Sequence, residues 1–370
     1  KANGIEPIPT LYHYDLPWPL VERYGGWLSR KVVDDFARFA KYVINEFKDD
    51  IKYWITINEQ SIIVQYWTQK CYILPEYQDN NQLRYQINHH MNLAQALACK
   101  YVHEVGGLAG PALGYAPVYA RTCKPEDQIA ALNANDLRNT YYLDVYFRGY
   151  YNVAALTYLQ QHGLAPEMEE GDEQLFAENL SDFFAINYYD SQCAHACPED
   201  ITEHSWSGYN LTGKKGDMSG FETHPGFYQM CPNPELKTTD WDWAIDPIGL
   251  EYVYRDLYTR YRVPFMITEN GLGAYDELTP DGKVHDDYRI DYFREHIQAT
   301  KRAMDLGVEV VGYMPWSALD LLSTSNGYKK RYGLIYVDRT DDDVKECKRI
   351  RKDSFYWYKE VIASNGTKLD

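Results

Sequence analysis

Long apolar runs are missing from this chain: none approaches the roughly 20 consecutive residues that a bilayer span requires, and no charged-then-apolar leader opens it. A soluble, cytoplasmic protein is expected. Positive charge is scarce, with 37 Lys and Arg against 54 Asp and Glu, a net charge of -17. Such a surface repels a phosphate backbone or an anionic membrane, so neither nucleic acid nor membrane is expected as a partner. No phosphate-cradling glycine fingerprint follows any apolar run, which argues against a nucleotide site. The seven cysteines lack a paired framework and suit a reducing compartment. Cys193, His195 and Cys197 fall on one side of an extended segment, but no second ligand pair follows closely, so free thiols are expected. Neither a metal nor a cofactor is expected. What the chain has in excess is aromatic residues, including 35 tyrosines, a surplus that suits the lining of a binding cleft.

At 370 residues the chain can bury a sizeable core, and it shows neither an internal repeat nor a linker, so a single catalytic domain over 1–370 is expected. Apolar runs suited to buried strands lie at 8–13, 51–57, 112–117, 183–188, 264–269 and 308–316. Between them, apolar residues recur at three and four positions at 31–47, 83–103, 128–147, 247–261 and 286–306, which predicts crossover helices. Alternation of this kind predicts an α/β fold with a parallel sheet, either doubly wound or closed into an eight-stranded barrel. Residues 189–243, rich in Gly, Pro, Ser and Trp, read as an elaborated loop over a site. Residues 328–338 alternate as a strand, and 349–362 reads as a closing helix packed through Phe355, Tyr358 and Ile362.

Parallel barrels draw their reactive groups from the carboxyl ends of several strands. Two runs end alike, ITINE at 55–59 and ITEN at 267–270, each with a glutamate where the strand runs out. One such glutamate reads equally well as half of a salt bridge. Two on separate strands suit glycoside hydrolysis, with one carboxyl as acid and base and the other attacking the sugar or activating water. His13 and Asp15, Asn187 and Tyr189, and Trp316 and Asp320 end other runs; an indole can cover a pyranose face while amide and imidazole groups bond its hydroxyls.

TLYHYDLP at 10–17, RYGGW at 23–27, YWITINE at 53–59, INYY at 186–189, ITENG at 267–271 and KRYGLIYVD at 330–338 together strongly resemble glycoside hydrolase family one, in order and over nearly the whole chain. The resemblance implies a retaining β-glycosidase on a (β/α)8 TIM barrel, with Glu59 as acid/base and Glu269 as nucleophile. His13, Asn58 and Trp316 match sugar-contacting residues; Asn187 and Tyr189 match the N-x-Y pair whose tyrosine holds the nucleophile. Tyr14 stands where tryptophan is usual and Gln60 where proline is usual, and both are expected to flank the site. Relatives carry two strand and helix units ahead of the segment KANGIEP at 1–7, so the resemblance implies a barrel truncated at its N-terminus. An inactive carbohydrate-binding fragment is the alternative this leaves open.

In family members acting on plain glucosides, a glutamate that grips sugar hydroxyls and then a tryptophan occupy the positions of Ser323 and Thr324. A glutamate there would repel a 6-phosphate, whereas serine removes the charge and adds a donor. With Lys330 and Tyr332, Ser323 resembles the phosphate-binding set of bacterial 6-phospho-β-glucosidases. The expected partner is therefore a phosphorylated β-glucoside or disaccharide, with glucose 6-phosphate as product. A plain β-glucosidase, in which Lys329, Lys330 and Arg331 form a solvated basic run, is the other reading.

Overall fold

The structure, a computed structural model, describes residues 1–370 apart from 207, 209 and 325. Expectations for those three, two in the 189–243 segment and one in the segment holding Ser323 and Lys330, lie outside the described residues. The chain divides into two compact units. The first comprises Lys1–Tyr115, Leu132–Asn187 and Val263–Met266; the second comprises Ala116–Ala131, Tyr188–Arg262 and Ile267–Asp370.

In the first unit, β1 (Thr10–Tyr12), β2 (Tyr53–Asn58), β3 (Leu108–Gly114) and the start of β4 (Phe184–Tyr188) run side by side, each neighbouring pair parallel. β5 (Phe265–Asn270) also starts here, where the Phe184 N–H donates to the Pro264 carbonyl at 2.9 Å. β2 buries Trp54, Ile55, Thr56, Ile57 and Asn58 in succession. Only a strand covered on both faces can do that, which is why such strands read as unbroken apolar runs.

β3 begins four residues before the expected 112–117 run. Its sequence LAGPALG holds two glycines and a proline, which weigh against a strand. At Gly110 an added Cβ would lie 2.5 Å from the Phe183 carbonyl oxygen, so close backbone approach selects glycine inside this strand.

Against this sheet lie α1 (Lys31–Phe47) and α2 (Gln82–Glu104), which pack on each other. α1 has no side-chain cap, and it buries Val32, Val33, Phe36, Ala37, Ala40 and Ile44 along one face. At about 1.5–3 kcal/mol for each large apolar side chain, that burial outweighs a missing cap worth about 1 kcal/mol. The helix expected at 128–147 is two helices, Pro125–Asn135 and Tyr141–Arg148, joined by a wide turn at Asp136–Thr140. The Asn152 amide donates to Asp136 and Thr140 at 3.0 and 3.1 Å, satisfying polar groups inside the bend.

In the second unit the remainder of β5 neighbours β6 (Val310–Tyr313). α3 (Pro247–Tyr261) opens with proline, and the Asp246 carboxylate caps the Gly249 N–H at 2.8 Å. It packs on α4 (Asp287–Asp305), which in turn packs on α5 (Asp353–Ala363). Between the last two lies a cluster of Leu272, Tyr292, Phe293 and Leu334, with Phe355, Trp357 and Tyr358 against it.

Three expectations need correction here. The closing helix starts only at Asp353, because Arg349–Arg351 pairs antiparallel with Ile335–Val337, and Ile362 is exposed while Val361 is buried. Of the 328–338 run, only Ile335–Val337 is a strand. Residues 189–243 are not wholly loop: Gln192–His195, Thr223–His224 and Tyr228–Cys231 build a four-stranded sheet with Val118–Ala120. Those strands are too short for periodicity to register. Cys193 lies buried opposite Cys231 in this sheet, and all seven cysteines are free. Among the described residues no group of three or more His, Cys, Asp or Glu is arranged to hold a metal, and no helix is long and apolar enough to cross a membrane.

Candidate active site

Each unit carries its own set of polar groups at strand ends. In the first, Glu59 follows β2 with φ +46° and Tyr14 follows β1 with φ +71°, both in the left-handed region that side chains with a Cβ seldom adopt. The Glu59 N–H is held by the Ala112 carbonyl at 2.6 Å. Gly114, ending β3, leaves room for the carboxyl: a Cβ there would lie 3.1 Å from Glu59 Oε1. Asn187, at the end of β4, donates from Nδ2 to Glu59 Oε1 and to Asn58 Oδ1, both at 3.1 Å. Asn58 Nδ2 lies 3.3 Å from His13 Nε2. His13, Asn58, Glu59 and Asn187 are thus joined in one hydrogen-bonded chain.

Tyr14 reaches further than the sequence suggested, since its phenol donates to Glu59 Oε2. Lys70 lies over the Tyr14 ring, its Nζ 4.5 Å from the ring centre. Gln60 does more than flank the site. Its buried amide donates to Asn88 Oδ1 and Asn92 Oδ1 at 2.6 and 2.7 Å and accepts from the Tyr146 hydroxyl at 2.9 Å, tying the residue after Glu59 to α2. Desolvation holds His13 below its ordinary pKa, against the pull of Glu59 and Asp15.

In the second unit Glu269 is buried near the end of β5, and the Tyr189 hydroxyl donates to its Oε2 at 2.6 Å. Tyr189 is itself held, its carbonyl accepting from the Tyr292 hydroxyl at 3.2 Å. Asn270 binds the Tyr188 carbonyl and the Tyr292 hydroxyl at 2.7 and 3.1 Å, so the end of β5 is anchored on both sides of Tyr189. The Trp316 N–H donates to the Asn270 carbonyl at 2.8 Å.

The segment 329–332 departs from a solvated basic run. Only Lys329 is exposed, bonding the Thr212 carbonyl at 3.0 Å. Arg331 is buried against Asp320, 2.9 Å away, and caps the Val337 and Arg339 carbonyls. Asp320 also takes Lys352 at 2.8 Å and the Gly333 N–H at 3.0 Å, so this strand-end carboxylate belongs to the frame. Lys330 is 1% exposed, with its Nζ 3.5 Å from the Trp243 ring centre, 5.0 Å from that of Trp241 and 5.6 Å from that of Tyr332. Gly273 makes the space: a Cβ there would lie 2.5 Å from Lys330 Cε and 2.9 Å from Tyr332 Cζ. Among the described residues Lys330 forms no ion pair. Burial pushes its pKa down to about 7, with Asp190 pulling the other way.

Lys330 and Tyr332 are therefore brought together. Ser323 is only partly buried, and its described hydrogen bonds are backbone ones, to Gly327 and Asn326. Trp241 and Trp243 lie outside the motifs that mark the site in sequence; the signal for them is that a cation buried seven residues past Ser323 needs a compensating environment.

The family model for glycosyl hydrolase family 1 matches residues 1–367. The aryl-phospho-β-D-glucosidase BglC of Bacillus subtilis is 42% identical over 373 residues, covering 100% of this chain and 76% of that protein. The 6-phospho-β-glucosidase AscB of Escherichia coli is 38% identical over 374 residues, covering 100% and 74%. Among solved structures, a family 1 β-glucosidase from Thermotoga maritima superposes with a TM-score of 0.83 at 28% identity, covering 99% of this chain and 75% of that one. The chain belongs to glycosyl hydrolase family 1, and its parallel strands and helices are those of the (β/α)8 barrel class.

Proposed function

We propose that this protein is a retaining glycoside hydrolase that cleaves 6-phospho-β-glucosides to glucose 6-phosphate and an aglycone. The carrying observation is Lys330: a lysine buried among three aromatic rings, without an ion pair among the described residues, in a chain of net charge -17. Burying an unpaired charge is costly, and a phosphate on the substrate supplies the missing anion. The names of the Bacillus subtilis and Escherichia coli relatives support the same substrate class. Free cysteines throughout support a cytoplasmic location.

In this reading Glu269 attacks the anomeric carbon while the glycosidic C–O bond breaks, and Glu59 gives its proton to the departing oxygen. Tyr189 holds Glu269 and, by donating to the carboxylate, favours the ionised nucleophile. Glu59, now a carboxylate, takes a proton from water, which attacks the anomeric carbon and breaks the glycosyl ester with net retention. His13, Asn58, Asn187 and Trp316 contact the sugar; Lys330, Tyr332 and Ser323 receive the phosphate.

Turnover of 4-nitrophenyl 6-phospho-β-glucoside is expected to exceed that of 4-nitrophenyl β-glucoside by about 100-fold or more, since one charge-assisted hydrogen bond contributes about 1.5–3 kcal/mol and several act together. Ser323→Glu with Thr324→Trp should erode the preference. Equal rates on the two substrates would return the plain β-glucosidase reading. For the carboxyl roles, Glu269→Ala should lose turnover and regain it with azide, giving inverted product, and Glu59→Ala should stall after the first step. Wild-type rates in both variants would refute the assignment.

A further inference from the structure

Glu59 is held by more than its family motif accounts for. Oε1 accepts from Asn187, and Oε2 accepts from the phenol of Tyr14. Tyr14 is placed for this by a left-handed backbone at the end of β1, the strand that pairs with β2. The half-buried Lys70, on the short helix Trp67–Lys70, sets its ammonium 4.5 Å from the Tyr14 ring centre. In this unit the described titratable groups facing Glu59 are His13 and Tyr14 beyond β1, and Lys70 from that short helix.

We propose that Tyr14, backed by Lys70, is a positioning residue that orients Glu59 and stabilises its carboxylate as the proton leaves, and so widens the range of aglycones this enzyme can expel. The proposal rests on the reading of Glu59 as acid/base. A phenol donates more strongly to a carboxylate than to a carboxylic acid. The Tyr14 bond therefore tightens as the proton passes from Glu59 to the departing oxygen, and an interaction that strengthens on the way to the transition state accelerates the step. The cation over the ring draws electron density from the phenol and improves it as a donor. In the second step the same hydroxyl accepts from Glu59 once the carboxylate has taken the proton of water.

The test is a set of kcat/KM pH profiles on aryl 6-phospho-β-glucosides whose phenols range from 2,4-dinitrophenol to unsubstituted phenol. Tyr14→Phe should move the alkaline limb upward, because it removes a hydrogen bond to the charged form. It should cost about tenfold in kcat on the phenyl substrate and clearly less on the dinitrophenyl one, so that dependence on the leaving group steepens. Lys70→Met should move the limb the same way by less. If Tyr14→Phe does not fold, Tyr14→3-fluorotyrosine, a stronger donor of nearly the same shape, should move the limb downward. An unmoved limb in both position-14 variants, with unchanged leaving-group dependence, overturns the proposal. Glu59→Gln separates the two levels: retained turnover of the phenyl substrate would remove the acid/base reading itself, whereas its loss beside an unmoved limb in the position-14 variants would remove the role of Tyr14 alone.

Discussion

The Lys330 ammonium lies 3.5 Å from the centre of the Trp243 ring, an aromatic face that offsets only part of the cost of burying its charge. With burial bringing its pKa down to about 7, Lys330 is protonated below that pH and increasingly neutral above it. A phosphate ester becomes a dianion above about pH 6. KM for a 6-phosphoglucoside is therefore expected to be lowest between about pH 6 and 7 and to rise on the alkaline side, with proton uptake on binding. Lys330→Met should raise KM and flatten that dependence; a pH series of KM on phosphorylated and plain substrates reads both.

The same group has a stability consequence of definite sign. An unfolded lysine titrates near 10.4, so between about pH 7 and 10.4 the unfolded chain binds more protons than the folded one at this site. The site's contribution to stability rises with pH across that window. Urea denaturation should show Lys330→Met more stable than wild type near pH 6, with the gain shrinking toward pH 10.

Tyr189→Phe removes the donor at 2.6 Å from Glu269 Oε2. A hydrogen bond to a charged group contributes about 1.5–3 kcal/mol, so kcat is expected to fall roughly 10–100-fold. The acidic limb of kcat/KM should move to higher pH, because the lost bond favoured the ionised carboxylate. Steady-state kinetics from pH 4 to 8 would check it.

Gly114→Ala places a methyl group 3.1 Å from Glu59 Oε1 and 2.9 Å from Ile62 Cγ1. The neighbours must shift by a few tenths of an ångström, which is enough to misplace the carboxyl proposed as the proton donor. A loss of about tenfold is expected on substrates with poor leaving groups, where proton donation matters most. Activated aryl substrates should report a smaller loss.

Lys352→Met strips a cation from between Asp276 and Asp320, all three side chains being fully buried. Burial alone would raise the Asp276 pKa, yet Arg289 and Lys352 hold it below the ordinary carboxylate range. Breaking such a buried network costs about 3–5 kcal/mol, and chemical denaturation should show a loss on that scale. Because Asp320 also anchors Arg331, KM for the phosphorylated substrate should rise in whatever fraction folds.

Local pattern along the chain accounts for the helices and for the acids at the strand ends. α1 at Lys31–Phe47 and α3 at Pro247–Tyr261 have the ends that the sequence predicts, because an apolar face every three to four residues and a proline at the first turn are properties of a short stretch. Apolar runs that stop at an acid mark Glu59 and Glu269, since a strand buried on both faces holds a carboxylate at its end only where that group is paired or functional. The partners of those acids and of Lys330 follow only from the packed chain. The Tyr14 phenol on Glu59 joins residues 45 apart in sequence, and Lys330 meets Trp241 and Trp243 from nearly 90 residues away. The early start of β3 and the small sheet within 189–243 were equally illegible. One depends on a glycine admitting the Phe183 carbonyl, the other on strands of two to four residues that are strands only because a neighbour pairs with them. Side-chain contacts and strand pairs of this range are set by where packing brings distant backbone together, and a pattern confined to one stretch of chain carries no record of that.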